Sequence, residues 1–402
     1  MHDIVVIGAG QAGASLVARL RAKGYDGSLT LIGAEPALPY QRPPLSKAYL
    51  LGDMALDRLY LRPRQFYDDQ GITLRLGAAV RGIDRQAQEV TVDGETIRYD
   101  QLALTLGSAP RHLPASIGGT LEGVCVVRTL ADVDAMAPRF RKGARVVIVG
   151  GGYIGLEAAA VAAKLGLQVT LVEMAERILQ RVAAPETSAY FRALHQSHGV
   201  DIREGVGLDH LIGETHVTGA KLTDGTELAA DFVIVGVGIA PETALAEAAG
   251  LQVDNGIVVD EMGQSSDTRI WAAGDCAVFP YRGTQMRLES VQNAIDQAEA
   301  VADNILGAGT PYVPQPWFWS DQYDVKLQIA GLNTGYDHIV TRQGDGPSVS
   351  YWYYAGDRLL AVDAMNDPRG YMIGKRLIEA GRSPDPALIA DAAQDLKPLL
   401  KG

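Results

Sequence analysis

The sequence predicts an α/β protein with two similar units and a smaller α+β region toward its C-terminal end. Three observations support this prediction. A strand, glycine turn, helix and strand occur near residue 4 and again near residue 146, a hairpin pattern follows each copy, and no such glycine turn occurs after residue 310. Strands that alternate with helices in this way are typical of parallel sheets.

The first copy begins with a short apolar strand, Ile4 to Ile7, and a glycine turn follows directly. The residues of this first glycine turn that matter are Gly8, Gly10, Ala12 and Gly13. Such a turn lets the backbone approach a pyrophosphate, and the helix that follows offers N–H groups to the anion. The next strand leads to Glu35, 22 residues after Gly13, where a carboxylate can accept hydrogen bonds from both hydroxyls of a ribose. Because all parts occur in the expected order, the pattern predicts a dinucleotide site.

The second copy repeats this order from the strand Val146 to Val149 through to Glu173. Its glycine turn contains Gly150, Gly151, Gly152, Tyr153, Ile154 and Gly155, and Glu173 follows 18 residues after the last of them. A hairpin turn then occurs in each copy, at Asp93-Gly94 and at Asp224-Gly225, with a strand and a glycine (Gly107 or Gly238) at the same spacing downstream. The chain is therefore a duplicated dinucleotide-binding, Rossmann-like fold.

The first copy is 11 residues longer than the second, and the extra sequence includes the stretch from Pro39 to Lys47. Extra sequence in only one of two equivalent units suggests that the units bind different ligands. After the second copy, a strand ends at Gly274-Asp275, Ser290 is a candidate N-cap, and a helix is predicted from Val291 to Leu306.

The remaining chain is predicted to form strands, a hairpin near Tyr354 to Arg358 and a helix from Tyr371 to Ala380. The aromatic strand Tyr351 to Tyr354 favours core packing over chemistry.

Composition limits the function. The chain has 402 residues, 47% of them hydrophobic and 21% charged, and a net charge of −12, which argues against nucleic acid or an anionic membrane surface as the main partner. Neither a membrane span nor a secretion signal is predicted, so a cytoplasmic protein is expected. The two cysteines, Cys125 and Cys276, form no Cys-x-x-Cys motif, which favours a reducing compartment, and no metal site is predicted.

In combination, four features resemble one family over nearly the whole chain. They are the two glycine turns, the stretch Arg42 to Lys47, the strand end Ala273-Gly274-Asp275, and the segment Trp317 to Tyr323. This combination is similar to the FAD-dependent NADH:ferredoxin reductases of bacterial oxygenase systems. The resemblance implies a glutathione-reductase-like arrangement with an FAD domain in two segments, an NADH domain and a C-terminal domain that covers the flavin. The expected boundaries are 1–112 and 244–320 for FAD, 113–243 for NADH and 321–402 for the C-terminal domain.

The resemblance also implies roles for individual residues in FAD binding. The first glycine turn would hold the pyrophosphate and Glu35 the adenosine ribose. Further FAD contacts would come from Arg42, Lys47, Val80, Arg128, Gly274, Asp275, Val291 and Trp319. A carboxylate at a strand end can accept from a ribityl hydroxyl, and the positive end of a helix can stabilise negative charge on reduced flavin. For Trp319, core packing and a role as flavin shield or partner contact both stay open.

The resemblance places NADH in the second copy. Its contacts would be Gly150, Gly152, Tyr153, Ile154 and Gly155 of the glycine turn, together with Gly238. Glu173 should bind the NADH ribose and repel a 2′-phosphate, although Arg177 weakens this preference for NADH over NADPH. The resemblance further implies that Lys47 and Glu157 form an ion pair at the flavin, in which Glu157 orients a cation near the reactive ring nitrogen. The alternative is a solvated lysine and a glutamate on a helix surface.

The cysteines limit the electron acceptor. Relatives that reduce disulfides or peroxides need a thiolate beside the flavin, and the segment from Leu38 to Leu50 contains none. The expected acceptor is a two-iron two-sulfur ferredoxin that feeds an oxygenase, and the protein is expected to be a monomer or weak dimer. Docking of an acidic ferredoxin would need basic residues, for which the candidates are Arg62, Arg64, Arg287, Arg369, Lys375 and Arg376. Reduction of rubredoxin, quinone or oxygen, and a redox-controlled role similar to that of apoptosis-inducing-factor-like flavoproteins, remain alternatives.

Overall fold

The computed structural model describes residues 3–401, which divide into two compact units. The first unit comprises the chain up to Arg42 together with Ala55–Ala109 and Ile239–Pro316. The second unit comprises Pro43–Met54, Pro110–Gly238 and the chain from Trp317 onward. In the part of the chain that the structure describes, no helix is long and apolar enough to cross a membrane.

A five-stranded parallel sheet lies at the centre of the first unit. Its strands, in spatial order, are Ile270–Ala272, Gln101–Leu104, Ile4–Ile7, Leu29–Gly33 and Ile72–Leu76. The strand Ile4–Ile7 is buried on both faces, because Ile4 and Val6 pack in one core and Val5 and Ile7 in another. A parallel sheet covered on both sides needs such a continuous apolar run, which is the pattern that predicted this strand.

The other elements of the first unit surround this sheet. Its helices are Gln11–Ala22, Leu56–Leu59, Arg64–Asp69, Ala244–Ala248 and Val291–Ile305. An antiparallel sheet is formed by Val80–Asp84, Glu89–Val92 and Glu95–Arg98, and a third sheet by Ile257–Val258, Ala277–Tyr281 and Thr284–Met286. Two further short strands are Ser108–Pro110 and Ile239–Pro241.

The second unit contains a sheet of the same design. Its parallel strands, in spatial order, are Asp201–Glu204, Gln168–Glu173, Arg145–Val149, Phe232–Val235 and Val124–Cys125. An antiparallel sheet of Leu208–Gly213, Val217–Leu222 and Glu227–Ala229 accompanies it, with helices at Leu130–Met136, Tyr153–Lys164 and Pro185–Ser197. In both sheets the glycine-turn strand lies between the strand that leads to the acid and the strand that follows the hairpin. The predicted duplication is confirmed.

The C-terminal part of the second unit is a five-stranded antiparallel sheet. Its strands, in spatial order, are Trp317–Gln322, Val325–Gly331, Arg358–Met365, Val349–Ala355 and His338–Gln343. The helices Pro368–Glu379 and Pro386–Ala390 follow this sheet, and a 3-10 turn at Lys397–Leu400 comes after them. Other segments of the second unit contain 3-10 turns at Pro43–Ser46, Ala115–Ile117 and Ala137–Arg139. Trp352, Tyr353 and Tyr354 are fully buried, which confirms the predicted packing role of the aromatic strand.

One helix begins earlier than predicted. The last long helix starts at Pro368 and not at Tyr371, because the Asp367 side chain caps it by accepting from the Gly370 N–H at 2.8 Å. Asp followed by Pro is a strong start signal for a helix. The predicted N-cap at Ser290 is confirmed, since its hydroxyl accepts from the Asn293 N–H at 3.1 Å.

Candidate functional site

The first glycine turn is shaped by close backbone contacts. Gly8 has a φ of +110°, and a Cβ on Gly13 would lie 2.0 Å from the Gly8 carbonyl oxygen, so both positions require glycine. Around Gly10, in contrast, nothing lies within 4 Å of the position that a Cβ would take. The helix Gln11–Ala22 starts there with no side-chain cap and no acid in its first turn. An anion would therefore meet open space and unscreened helix N–H groups.

The second glycine turn has the same geometry. Gly150 has a φ of +109°, and a Cβ on Gly155 would lie 2.1 Å from the Gly150 oxygen, while the space around Gly152 is open. The helix that follows begins at Tyr153, again without a side-chain cap, and Ile154 beside it is partly exposed. The structure thus provides two anion cradles of equal shape, and both fit the pyrophosphate of a dinucleotide.

Glu35 follows the second strand of the first unit and is held by two neighbours. The Tyr40 hydroxyl donates to it at 2.5 Å, and Arg42 Nη2 lies 2.6 Å from its Oε1. Arg42 also lies over the Tyr40 ring, 5.1 Å from its centroid. The structure therefore brings Arg42 to the carboxylate predicted to bind the ribose, and this arrangement fixes where that carboxylate points.

Glu173 is oriented by backbone groups. Its two oxygens accept from the N–H groups of Gly151 at 2.7 Å and Ala175 at 2.8 Å. Arg177, the residue that weakened the NADH preference, donates instead to the Ser188 hydroxyl at 2.5 Å and to the Gln180 carbonyl at 3.4 Å. Its guanidinium is thus engaged with neighbours other than Glu173.

The strand end at Gly274-Asp275 lies close to the first glycine turn. A Cβ on Gly274 would lie 3.1 Å from the Cβ of Ala12, and the Gly274 N–H donates to Gln297 at 2.9 Å. Asp275 accepts from the Ser108 hydroxyl at 2.9 Å. Val291 begins the helix Val291–Ile305, as the sequence predicted, and Val80 is the first residue of the strand Val80–Asp84.

The predicted ion pair between Lys47 and Glu157 is present. Lys47 Nζ lies 3.0 Å from Glu157 Oε1, and the Glu157 side chain is only 7% exposed. The hydroxyls of Ser46 and Ser320 donate to the two carboxylate oxygens, each at 2.7 Å. Burial raises the pKa of Glu157, while Lys47 and the two serines act in the opposite direction. The solvated-lysine alternative is therefore wrong.

Lys47 has two further neighbours from the strand Trp317–Gln322. Asp321 Oδ2 lies 3.6 Å from Lys47 Nζ, and the Trp319 ring centroid lies 5.9 Å from it. Sequence reasoning missed Ser46, Ser320 and Asp321, although all three belong to stretches that carried the resemblance. The available signal was chemical, since a buried glutamate needs hydrogen-bond donors as well as a cation.

The other predicted contacts lie at loop positions. The Arg128 N–H donates to Asp132 at 3.2 Å, directly before a helix capped by Thr129. Gly238 has a φ of +102°, and its carbonyl accepts from the Arg111 N–H at 2.9 Å. Sequence reasoning also missed Thr105, which closes the first glycine turn by donating to the Gly8 carbonyl at 2.8 Å.

Neither cysteine is suited to redox chemistry. Burial raises the pKa of the Cys276 thiol to about 11 and also raises that of Cys125, so both remain thiols near neutral pH. Both are free cysteines. Among residues 3–401, no group of His, Cys, Asp or Glu is arranged to hold a metal ion.

Most of the candidate docking cations have partners nearby. Arg64 pairs with Asp68, Arg287 with Glu289, Arg369 with Asp395 and Lys375 with Glu379. Arg62 donates to the Leu61 carbonyl and lies over the Phe66 ring. Much of the positive charge at these positions is therefore locally balanced.

Comparison with known proteins identifies the family. The family described as pyridine nucleotide-disulphide oxidoreductase matches residues 2–298, and the family described as reductase C-terminal matches residues 317–400. The ferredoxin–NAD(+) reductase component of the anthranilate 1,2-dioxygenase system of Burkholderia cepacia is 41% identical over 406 residues, 98% of each chain. A rubredoxin–NAD(+) reductase of Pseudomonas putida is 38% identical over 371 residues, 91% of this chain and 96% of its own.

A solved structure extends this similarity to the whole fold. The covalent putidaredoxin reductase–putidaredoxin complex contains a chain that is 42% identical, with a TM-score of 0.95 over 100% of this chain and 98% of that chain. The resemblance inferred from the two glycine turns and the three other segments is confirmed, and so is the predicted fold class. The chain belongs to the pyridine nucleotide-disulphide oxidoreductase family, and it is an FAD-dependent oxidoreductase that uses NAD(H).

Proposed function

We propose that this protein passes electrons from NADH, through FAD, to a two-iron two-sulfur ferredoxin that serves an oxygenase. The observation that carries the proposal is the state of the cysteines. With both thiols buried or half-buried and protonated, the chain has no thiolate through which electrons could pass to a disulfide. The similarity to a ferredoxin reductase component of a dioxygenase system supports ferredoxin as the acceptor.

The first unit supplies most of the proposed FAD site. The first glycine turn binds the pyrophosphate, Glu35 the adenosine ribose and Asp275 the ribityl chain, with Val80 at the adenine and the helix start at Val291 near the flavin. Arg42, Lys47, Arg128, Gly274 and Trp319 complete the proposed set. The open space at Gly10 and the contact of Gly274 with Ala12 support this assignment. FAD, when bound, supplies the chemistry that accepts a hydride and releases two electrons singly.

The second glycine turn and Glu173 form the proposed NADH site, with Tyr153, Ile154 and Gly238 beside it. The orientation of Glu173 by Gly151 and Ala175 supports binding of both ribose hydroxyls. A 2′-phosphate would bring negative charge against this carboxylate, and the Arg177 guanidinium is engaged by Ser188. We therefore propose a preference for NADH over NADPH.

In the proposed mechanism, Lys47 provides a fixed positive charge and Glu157 orients it. The ion pair, the two serine donors and the low exposure of Glu157 support this role, because charges held in place need no reorganisation during the reaction. These residues position charge and do not need to transfer a proton to the substrate. The domain boundaries at 1–112, 113–243, 244–320 and 321–402 are part of the same proposal, as is a cytoplasmic location.

Anaerobic stopped-flow reduction tests this proposal directly. The purified, FAD-loaded protein is mixed with NADH, and the flavin absorbance is followed before a carrier is added. We expect rapid bleaching by NADH, slower bleaching by NADPH, and rapid reoxidation by a two-iron two-sulfur ferredoxin.

Matched carriers separate the alternatives. Rubredoxin is the first of them, because a rubredoxin–NAD(+) reductase is also a relative, and a quinone and a small disulfide complete the set. Reoxidation by rubredoxin, quinone or disulfide as fast as by ferredoxin would refute the proposed acceptor. A protein that neither retains nor rebinds FAD would refute the proposed cofactor site.

A further inference from the structure

A continuous row of buried polar side chains leads away from Glu157 within the second unit. Ser320 Oγ lies 2.7 Å from Glu157 and 3.1 Å from Nε2 of Gln322. The Gln322 oxygen lies 2.8 Å from Nε2 of His195, whose Nδ1 lies 3.2 Å from the Tyr323 hydroxyl. Ser320, Gln322 and His195 are 0% exposed, so solvent does not replace any partner in the row.

The chemistry of the end groups fixes the direction of each hydrogen bond. The ionised Glu157 only accepts, so Ser320 donates to it and accepts in turn from the Gln322 amide. The Gln322 oxygen therefore faces His195, which must carry its proton on Nε2. Nδ1 of His195 is then an acceptor for the Tyr323 hydroxyl. The row is satisfied by one tautomer of a neutral His195, with every donor directed toward Glu157.

The surroundings of His195 favour this neutral form. Burial lowers its pKa to about 4 against the opposing effect of the hydrogen bond with Gln322, and the nearby His198 acts in the same direction as burial. Tyr323 faces it edge-on with ring centroids 5.1 Å apart, and His198 stacks on the Tyr323 ring with centroids 3.6 Å apart. Two further titratable groups lie beside the Lys47–Glu157 pair. They are Asp321, which faces Lys47, and Tyr153, whose pKa is raised mainly by burial and in part by Glu157.

Tyr323 occupies a strained backbone conformation. Its φ is +56°, in the turn between the paired residues Gln322 and Val325. A bulky side chain is rare in the left-handed region and persists there only when its surroundings hold it. Here the strained turn delivers the phenol hydroxyl to Nδ1 of His195.

We propose that His195, Gln322 and Tyr323 are positioning residues for the Lys47–Glu157 pair. The directed row keeps Ser320 as a donor to Glu157, and thereby holds the carboxylate ionised and turned toward Lys47. This inference rests on the proposed role of that pair in hydride transfer. The three residues act through Ser320, more than one side chain away from Lys47.

The tautomer of His195 can be measured without any turnover. In the holoprotein labelled with ¹⁵N-histidine, we expect NMR to show His195 protonated at Nε2 and not titrating between pH 5 and 8. The signal is assigned by its loss in His195→Gln. A proton on Nδ1, or titration near pH 6.5, would overturn the inference.

Kinetics then tests the positioning role. Gln322→Met removes the side-chain hydrogen bonds to Ser320 and His195 at similar volume. We expect it to slow flavin reduction by NADH about 3- to 10-fold, because only the hydrogen bond to Ser320 bears on Glu157 and one buried hydrogen bond has about this effect. The NADH KM should change less than about 2-fold, since a positioning effect of this kind acts on the reaction step. In a plot of the flavin-reduction rate against pH, the acidic limb should move to higher pH, because a weaker hydrogen bond from Ser320 favours the protonated form of Glu157.

Matched variants separate hydrogen bonding from packing. His195→Gln retains a donor toward Gln322 and should stay within about 2-fold of the wild type, whereas His195→Met should match Gln322→Met. Gln196→Met, on the exposed side of the same helix, is the control and should have no effect. Equal rates for His195→Gln and His195→Met, or an unchanged rate in Gln322→Met, would overturn the inference.

Lys47→Ala distinguishes the two levels of the argument. If Lys47→Ala leaves flavin reduction unchanged, the proposed role of the ion pair fails and the positioning role fails with it. If Lys47→Ala slows reduction but Gln322→Met does not, the positioning inference alone is wrong.

Discussion

Asp363 is a buried acid with no cationic partner among residues 3–401, and replacing it with asparagine gives a quantitative test of the structure. It lies on the strand Arg358–Met365 and is 1% exposed. It accepts from the Thr187 hydroxyl at 2.7 Å and from the Tyr353 hydroxyl, whose oxygen also accepts from the Ala184 N–H. Asp363→Asn keeps an oxygen acceptor for both hydroxyls but removes the charge.

The expected magnitude follows from the pKa of Asp363. Burial raises this pKa from 3.8 to about 6, while the hydrogen bonds from Tyr353 and Thr187 oppose the shift. A raised carboxyl pKa stabilises the fold fully below the unfolded value near 3.8, and that contribution is lost as the pH rises through 6. Two pKa units correspond to about 3 kcal/mol, so ionisation of Asp363 lowers the free energy of unfolding by about this amount near pH 7.5.

The assay is urea unfolding of the wild type and of Asp363→Asn between pH 4.5 and 8, followed by circular dichroism. We expect Asp363→Asn to gain about 2 kcal/mol relative to the wild type over this range, most of it between pH 5 and 7, because about 1 kcal/mol of the full effect has already been lost at pH 4.5. Asp345→Asn, in an exposed loop, is the control and should run parallel to the wild type. Parallel curves for Asp363→Asn as well would refute the inferred charged, buried state of Asp363.

Three further predictions concern cofactors and thiols. Gly13→Ala should abolish FAD retention on gel filtration, because its Cβ would lie 2.0 Å from a backbone oxygen. Gly10→Ala should fold and only weaken FAD binding, because nothing lies within 4 Å of its Cβ position. Equal FAD affinity in the two variants would contradict this prediction. Glu173→Gln should lower kcat/KM for NADH about 10- to 100-fold in steady-state assays and bring it closer to kcat/KM for NADPH. An unchanged ratio of kcat/KM for NADH to kcat/KM for NADPH would argue against the ribose role of Glu173. Cys276 should not react with a thiol reagent at pH 8 until the protein unfolds, because burial raises its pKa to about 11; rapid labelling of the native protein would disprove this.

Local sequence patterns predicted much of the fold correctly. Ile4–Ile7 and Phe232–Val235 occur as strands at the predicted residues, and the hairpin turn at Asp93 and Gly94 has the positive φ values that such turns require. Both glycine turns occur with φ values of +110° and +109° at their first residue. These features depend on residues a few positions apart, so the sequence carries them directly.

The partners of Glu157 could be predicted only in part. The resemblance predicted Lys47, but Ser46 and Ser320 come from segments 111 and 163 residues away, and no local pattern connects them. The same is true of Asp363 and Thr187, which are 176 residues apart. Such pairs depend on how separate elements pack, which spacing along the chain does not encode.

The sequence alone therefore determined the duplicated dinucleotide fold, both glycine turns and the absence of a Cys-x-x-Cys motif, because each depends on short-range backbone geometry or on composition. Only the tertiary structure decided which donors surround Glu157, where Arg177 points and that Cys276 is buried. The physical reason is that a side chain acquires its charge state and its hydrogen-bond partners from neighbours that folding brings together.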